Sequence, residues 1–160
     1  MRDVLIICEY PTLNGGERSM LSTFSAIQAA GYRIRVAAPA VGDLADELRR
    51  RQVEHVPLEL VGADGIRKDQ AAARETIAEL LSAAQPGLVH ANSLSMGRLI
   101  GPVVASHNIP SVAHIRDIVR LSKQAMDDVN QNTRLIAVSN ATRDAHVANG
   151  LDAQKAHVVH

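Results

Sequence analysis

Short apolar runs rich in β-branched residues alternate along the chain with longer segments in which apolar residues recur every three or four positions. This alternation is typical of repeated βαβ units, in which a helix connects one parallel strand to the next. The pattern predicts strands over residues 4–8, 32–38, 53–60, 88–91, 111–115, 135–138 and 156–159. It predicts helices over residues 20–31, 43–52, 69–84, 96–106, 117–132 and 139–149, with Gly31 and Gly150 as C-terminal caps and Pro102 in the first turns of its helix.

The first strand, residues 4–8, is apolar throughout rather than alternating. A strand of this kind is covered by helices on both faces of the sheet. We therefore expect a doubly wound α/β domain, with a mostly parallel sheet and helices on both faces, over residues 1–160. The best loop signal is Gly62-Ala63-Asp64-Gly65, and no internal repeat or interdomain linker interrupts the pattern.

Composition narrows the classes of function. The 17 basic and 17 acidic side chains cancel, and only three aromatic residues of the Phe and Tyr type are present, which argues against a nucleic-acid binder. The single cysteine, Cys8, cannot form an internal disulfide and fits a reducing cytoplasm. No apolar run reaches the ~18 residues of a spanning helix. The arginine run 49–51 is interpreted as a solvated helix face, with contact to anionic lipid as the alternative.

Ligands of an open α/β sheet lie beyond the carboxyl ends of its strands. The loop after the first strand ends in Asn14-Gly15-Gly16-Glu17 at the start of a helix. Free N–H groups and absent side chains there would suit a phosphate or a sugar. The alternative is a helix cap without a ligand, because Asn14 and Glu17 have the spacing of a capping box.

Three common functions of this fold lack their motifs. The dinucleotide fingerprint needs G-x-G-x-x-G in the first turn and an acid after the second strand, and here that strand ends in Ala37-Ala38-Pro39. The chain has no G-K-[ST] phosphate loop, and the third strand ends without a receiver-type aspartate. Dehydrogenase, nucleoside-triphosphatase and phosphoreceiver functions are therefore disfavoured.

The later strand ends carry further polar side chains. They are His90 and Asn92 at the end of the fourth strand, His114, Arg116 and Asp117 at the end of the fifth, and Ser139 and Arg143 after the sixth. A histidine there can bind a sugar hydroxyl or act near a reacting bond, and Asp117 could orient it. Asn92, Asp117 and Ser139 could equally cap the helices that follow. The histidine spacing predicts no metal site.

Taken together, these segments resemble the amino-terminal domain of the retaining glycosyltransferases of family 4, which have the GT-B fold of two facing Rossmann-like domains. The resemblance spans nearly the whole chain. It is carried by Pro11, Gly15-Gly16-Glu17-Arg18, Gly31-Tyr32-Arg33-Ile34-Arg35-Val36, Leu88-Val89-His90-Ala91-Asn92, Ile109-Pro110-Ser111-Val112, His114, Asp117, Ile136-Ala137-Val138-Ser139, Gly150-Leu151 and His157-Val158-Val159-His160.

The resemblance implies transfer of a sugar from a nucleotide-sugar to an acceptor hydroxyl with retention, without a metal or a cofactor. It implies a catalytic His114 over the transferred sugar, and Gly15, Gly16 and Glu17 beside the donor diphosphate or the acceptor. Asn92, Arg116, Asp117, Ser139 and Arg143 would line the acceptor side. Family members often have histidine where this chain has Asn92. In them the later histidine and aspartate are adjacent, whereas two residues separate His114 from Asp117 here.

A chain that stops in its last strand suggests a truncated protein. The resemblance places a donor-binding carboxyl-terminal domain beyond His160, so the isolated domain is expected to be inactive. Its partners would be that domain, the nucleotide-sugar and a sugar, lipid or small-molecule acceptor. The expected location is the cytoplasm, with peripheral contact at the inner face of the membrane as an open alternative. The alternative is a free-standing nucleotide- or sugar-binding module, and a nicotinamide enzyme is a more distant third.

Overall fold

The computed structural model describes residues 2–62 and 64–159. Ala63, in the predicted loop, and His160, at the end of the last predicted strand segment, lie outside the described residues. The strands are β1 (Arg2–Ile7), β2 (Tyr32–Ala38), β3 (Glu54–Pro57), β4 (Leu88–Ala91), β5 (Ser111–Ile115), β6 (Arg134–Ala137) and β7 (Ala156–Val158). The helices are α1 (Gly15–Ser22), α2 (Phe24–Ala29), α3 (Asp43–Arg50), α4 (Gln70–Ala84), α5 (Leu94–Ser106), α6 (Lys123–Asn130) and α7 (Asn140–Ala148).

The strands form one sheet in the order β3-β2-β1-β4-β5-β6-β7, and every neighbouring pair is parallel. The order reverses direction between β1 and β4, so the loops after these two strands diverge and leave a crevice at the carboxyl edge. The predicted doubly wound α/β fold is confirmed.

Two apolar cores lie on opposite faces of the sheet. On one face, Ile6 and Val36 pack with side chains from α1, α2 and α3. On the other, Leu5, Ile7 and Val89 pack with side chains from α4 and α5. Helices therefore cover both faces around β1, as the continuous apolar run of that strand predicts.

The face that carries Ile6 is less fully covered farther along the sheet. Ile6 is in register with His90, His90 with Val112, and His114 with Ile136. The side chains of His90, Val112, His114 and Ile136 line an open apolar hollow of about 450 Å³, bounded on one side by α2. The imidazole rings at the ends of β4 and β5 thus border an apolar surface rather than a polar one.

The first helical segment differs from its prediction because it is divided in two. The Thr23 hydroxyl donates to the Met20 carbonyl at 2.7 Å, and Thr23 separates α1 from α2. Hydroxyl groups that bond to nearby carbonyls compete with the helical pattern. The helix begins at Gly15, as the Asn14–Glu17 cap predicts and earlier than the apolar periodicity indicates.

Other boundaries are set by serine caps. Ser122 accepts from the Ala125 N–H at 3.2 Å and starts α6 at Lys123, so the predicted start at residue 117 is wrong. Ser93 accepts from the Met96 N–H at 3.1 Å and starts α5 at Leu94. This early start places Pro102 well past the middle of α5, which corrects its predicted position in the first turns.

The third strand is shorter than its apolar pattern suggests, since β3 ends at Pro57. Leu58 and Leu60 are buried beyond its end in the core on the α4 side, so their burial explains the longer apolar run without a longer strand. The predicted caps Gly31 and Gly150 have φ values of +85° and +103°, in the left-handed region that glycine adopts easily. Within the described residues, no helix is long and apolar enough to cross a membrane.

Candidate functional site

Arg116 is the centre of a hydrogen-bonded cluster at the carboxyl edge of the sheet. It follows β5 directly, and its guanidinium donates to the carbonyl oxygen of Asn92 and, at 2.9 Å, to the Asn92 Oδ1. Nη2 also lies 3.2 Å from His114 Nδ1 and 3.5 Å from the Gly16 carbonyl. One arginine therefore connects the ends of β4 and β5 with the first turn of α1.

Asn92 fixes the other side of this cluster. It follows β4, is only 3% exposed, and its backbone N–H donates to the Ile7 carbonyl of β1 at 3.1 Å. Its Nδ2 approaches the Gly16 carbonyl at 3.4 Å. The fold thus brings together four residues that are up to 100 positions apart in the sequence: Gly16, Asn92, His114 and Arg116.

The start of α1 contains the predicted cap. The Asn14 N–H donates to Glu17 Oε2 at 3.0 Å, which is the half of a capping box that an acidic residue supplies. A Cβ added at Gly16 would lie 3.4 Å from Arg116 Nη1, whereas one added at Gly15 would meet nothing within 4 Å. Gly16 therefore lies against the cluster, and Gly15 faces open space beside it.

Charge at the cluster comes from Arg116 and from two neighbouring carboxylates. Burial lowers the pKa of Arg116, and the negative charges of Glu17 and Asp117 oppose that shift. A guanidinium remains protonated in proteins, so Arg116 places a fixed positive charge at this edge.

The neutral imidazole rings of His114 and His90 lie close to each other, next to Arg116. Their ring centroids are 5.6 Å apart. Burial lowers the pKa of His114 to about 4 and that of His90 to about 3, and the charge of Arg116 acts in the same direction on both. His114 Nδ1 can therefore accept a hydrogen bond from Arg116, while His90 Nε2 is buried without a partner among the described residues.

The remaining predicted site residues lie along the same edge but outside this cluster. Asp117 is exposed, does not cap α6, and places its carbonyl 2.8 Å from His146 Nε2. Ser139 caps α7 by accepting from the Thr142 N–H at 3.1 Å. Arg143 donates to the Ala156 carbonyl and to Asp144 Oδ1. In the described part of the chain, neither Ser139 nor Arg143 has a hydrogen bond to Arg116 or Asn92.

Sequence reasoning missed an ion pair between the buried carboxylate of Glu9 and the half-exposed Arg67. Glu9 directly follows Cys8, its side chain is 4% exposed, and its Oε1 is 2.5 Å from Arg67 Nη2. Its Oε2 is buried and has no hydrogen-bond partner in the residues that the structure covers. The available signal was the position of an acidic residue immediately after an all-apolar strand.

Metal ligation has no support in the geometry of the described residues, because no group of three His, Cys, Asp or Glu side chains converges there. Cys8 is buried, and burial raises the pKa of its thiol to about 12. A thiol with this pKa is neither a thiolate ligand nor a nucleophile near neutral pH.

The pattern of Glycosyltransferase Family 4 matches residues 13–160. A comparison with curated proteins gives no significant match.

Solved structures with the same fold include relatives of several activities. Anabaena Alr3699/HepE, crystallised with UDP and glucose, superposes with a TM-score of 0.76 at 17% identity, over 98% of this chain and 44% of that one. A glycosyltransferase from Rickettsia africae gives 0.73 at 15%, over 99% and 42%. A UDP-N-acetylglucosamine 2-epimerase from Rickettsia bellii gives 0.70 at 16%, over 99% and 44%. At such identities the likeness shows the fold alone. The chain spans less than half the length of these proteins.

Proposed function

The chain belongs to glycosyltransferase family 4, and we propose that it is the amino-terminal, acceptor-side domain of an enzyme that transfers a sugar from a nucleotide-sugar to an acceptor hydroxyl. Transfer proceeds with retention of anomeric configuration and without a metal or a cofactor. A second domain, facing this one, holds the donor nucleotide. The proposal rests on the family match over residues 13–160 and on the cluster around Arg116.

The observation that carries the proposal is the convergence of Gly16, Asn92 and Arg116 at the crevice between β1 and β4. The two Asn92 oxygens hold the guanidinium in one orientation, and a preorganised cation stabilises negative charge without reorganising during the reaction. In sugar transfer, negative charge develops on the departing nucleoside diphosphate. Arg116 is placed to stabilise that charge or to orient an acceptor oxygen.

The catalytic role of His114 remains a hypothesis. The pKa of its ring defines the protonation state in which it would act. A pKa of about 4 keeps the ring neutral at neutral pH, so it acts as a hydrogen-bonding group and not as a cation. It either contacts the transferred sugar directly or acts through Arg116 as a positioning residue. Gly15, Gly16 and Glu17 would lie beside the donor diphosphate or the acceptor. The acceptor side would be lined by Asn92, Arg116, Asp117, Ser139 and Arg143.

The nucleotide-sugar donor is supported by the solved relatives, since the Anabaena protein was crystallised with UDP-glucose as well as with UDP. The acceptor is a sugar, a lipid-linked group or a small molecule. The site of action is the cytoplasm or the inner face of the membrane, and no nucleic acid takes part.

The test uses the complete product of the gene and, in parallel, the 160-residue chain. Each is incubated with nucleotide-sugars and candidate acceptors, and release of nucleoside diphosphate is followed. We expect acceptor-dependent release by the complete protein, unchanged by EDTA, and a product anomer identical to that of the donor. Failure of the complete protein to consume any donor would refute the function. Multiple turnovers by the 160-residue chain would refute the two-domain part alone.

The same test separates the main alternative, a free-standing Rossmann-like module that binds a nucleotide or a sugar without catalysis. Such a module would have a gene that stops after His160 and would bind its ligand without turnover. Transfer requires instead that the reading frame continue for another ~150–200 residues, about one further domain.

A further inference from the structure

A polar cavity whose lining residues do not include the Arg116 cluster lies elsewhere in the structure. It has a volume of about 200 Å³ and is formed where α4 and α5 begin. Polar side chains form its wall and Ala73 and Leu99 its apolar floor; the wall consists of Arg67, Lys68, Gln70, Ser95 and Arg98. We call this cavity the basic pocket.

The basic pocket has a strong excess of positive charge. Three of its lining side chains are cations, and none is acidic. Glu9 neutralises part of the charge of Arg67 from outside the wall. Asp69, at the start of α4, uses its carboxylate to accept from the Ala72 N–H at 2.8 Å. Two positive charges, on Lys68 and Arg98, therefore have no carboxylate partner among the described residues.

Two of the three cations are held in place. Arg67 Nη2 is bound by Glu9 Oε1 at 2.5 Å and lies 3.3 Å from Ser95 Oγ. Lys68 Nζ donates to Thr76 Oγ1 at 2.9 Å, which leaves two of its three N–H donors for a ligand. Arg98 is exposed, and its guanidinium has no hydrogen-bond partner in the described residues. Such prior ordering reduces the entropy lost when a ligand binds.

We propose that the basic pocket binds a phosphate group, as a monoester or a diester. A carboxylate offers two oxygens, but cations on three separate side chains together with the Ser95 hydroxyl suit an anion with three or more acceptor oxygens. The starts of α4 and α5 add positive potential of the same sign.

From the position of the basic pocket we infer that the phosphate belongs to the acceptor. This inference rests on the proposed glycosyltransferase activity. Ser95 lies in the first turn of α5, three residues after Asn92, which holds Arg116. A molecule whose hydroxyl reaches the Arg116 cluster can therefore place a phosphate in the basic pocket. The acceptor class that follows is a phosphorylated sugar, a phosphorylated small molecule or a phosphate-bearing lipid head group.

Binding is tested directly on the 160-residue chain, without any transfer reaction. Inorganic phosphate and glycerol 3-phosphate are titrated at low ionic strength, and amide shifts are recorded by NMR. We expect saturable shifts in residues 67–70 and 93–98, and a loss of affinity of about tenfold or more in Arg98→Glu, because a charge-assisted bond is replaced by repulsion. The control is Arg134→Glu, an exposed arginine at the start of β6 that donates only to the Thr133 carbonyl, with an expected change below about twofold.

A second arm identifies the source of the phosphate. Vesicles of phosphatidylglycerol, with phosphatidylcholine vesicles as blank, are sedimented with the wild type and both variants. Sedimentation that Arg98→Glu alone abolishes assigns a lipid head group, and glycerol 3-phosphate binding without sedimentation assigns a soluble acceptor. Absence of titration by either phosphate, or equal weakening by Arg98→Glu and Arg134→Glu, would overturn the proposal. Transfer to a phosphate-bearing acceptor at the same rate in Arg98→Glu as in the wild type would overturn it while leaving the glycosyltransferase function intact.

Discussion

The Arg116 guanidinium binds Asn92 twice, through the backbone carbonyl and through the side-chain oxygen at 2.9 Å. This relationship joins the ends of β5 and β4 beside the crevice between β1 and β4, where the strand order reverses. It also fixes the orientation of the Arg116 guanidinium at this edge of the sheet. The cluster therefore contributes to both the fold and the proposed chemistry.

Asn92→Ala removes the side-chain oxygen and amide from this buried position. We expect the free energy of unfolding to fall by about 1–3 kcal/mol, since partners of the lost groups remain buried and unsatisfied. Urea denaturation followed by circular dichroism measures the change. Asn140→Ala, at an exposed residue of α7, is the control and should change stability by less than about 0.5 kcal/mol. Equal effects of the two variants would show that the Asn92 contacts contribute little.

The buried histidines predict that the protein loses stability in mild acid. Burial lowers the pKa of His90 from 6.5 to about 3, so below pH 6.5 the unfolded chain takes up a proton that the folded chain does not. The stability is complete above pH 6.5 and is lost as the pH falls toward the folded value. For His90 alone the loss from pH 7 to pH 5 is about 1–2 kcal/mol, and His114 adds to it in the same direction.

Urea denaturation at the two pH values tests this dependence with His90→Gln, which cannot titrate. Its stability should vary less with pH than that of the wild type. His107→Gln, at an exposed position after α5, should keep the wild-type dependence. A His90→Gln variant with an unchanged pH slope would contradict the assignment.

Asp3 anchors the amino ends of three strands. It forms a buried ion pair with Arg35 of β2 and accepts from the Gly87 N–H, just before β4, at 2.9 Å. Asp3→Ala leaves the Arg35 charge buried without its carboxylate, and we expect a loss of about 3 kcal/mol in the free energy of unfolding. Arg33→Ala removes a 56%-exposed partner of the same carboxylate and should cost less than about 1 kcal/mol. Thermal or urea unfolding distinguishes the two, and similar losses would refute the account.

Gly101 allows α5 and α6 to pack closely. A Cβ at this position would lie 2.1 Å from the Asp128 carbonyl oxygen, so Gly101→Ala must push the helices apart. We expect a loss of about 2–3 kcal/mol in stability. Gly15→Ala is the matched helical control, because a Cβ there meets nothing within 4 Å. It should be neutral or stabilising by up to about 1 kcal/mol, and differential scanning calorimetry would show the two melting temperatures moving apart.

The strands were predicted well because the strands of an all-parallel sheet are apolar throughout, so their own composition is enough to identify them in the sequence. β2, β4 and β5 have the predicted bounds, and the helix of residues 117–132 fails at its start because Ser122 caps a shorter helix. The division at Thr23 and the position of Pro102 depend on single hydrogen bonds and caps, which apolar periodicity does not encode.

The sequence predicted which residues lie along the edge of the sheet, but not which of them contact one another. Asn92, Gly16, His114 and Arg116 converge as expected of one sheet edge, whereas Ser139 and Arg143 serve local roles in α7. The family pattern described above has a histidine directly before the aspartate. In this chain the residue directly before Asp117 is Arg116, and Arg116 lies at the centre of the cluster. The ion pair of Glu9 was missed because its partner, Arg67, lies in a loop distant in sequence. The basic pocket was missed because its cations come from that loop and from Arg98 of α5.

Turnover by the complete gene product carrying Arg116→Lys tests the central claim most directly. Lysine keeps the positive charge but cannot bind the two Asn92 oxygens with one planar group. We predict that the wild type releases nucleoside diphosphate from a nucleotide-sugar in the presence of acceptor, and that the variant is at least about tenfold slower, the effect of losing about 1.4 kcal/mol of transition-state stabilisation. Arg134→Lys should match the wild type. Equal turnover in Arg116→Lys and the wild type, or no consumption of donor by the wild type, would contradict the account.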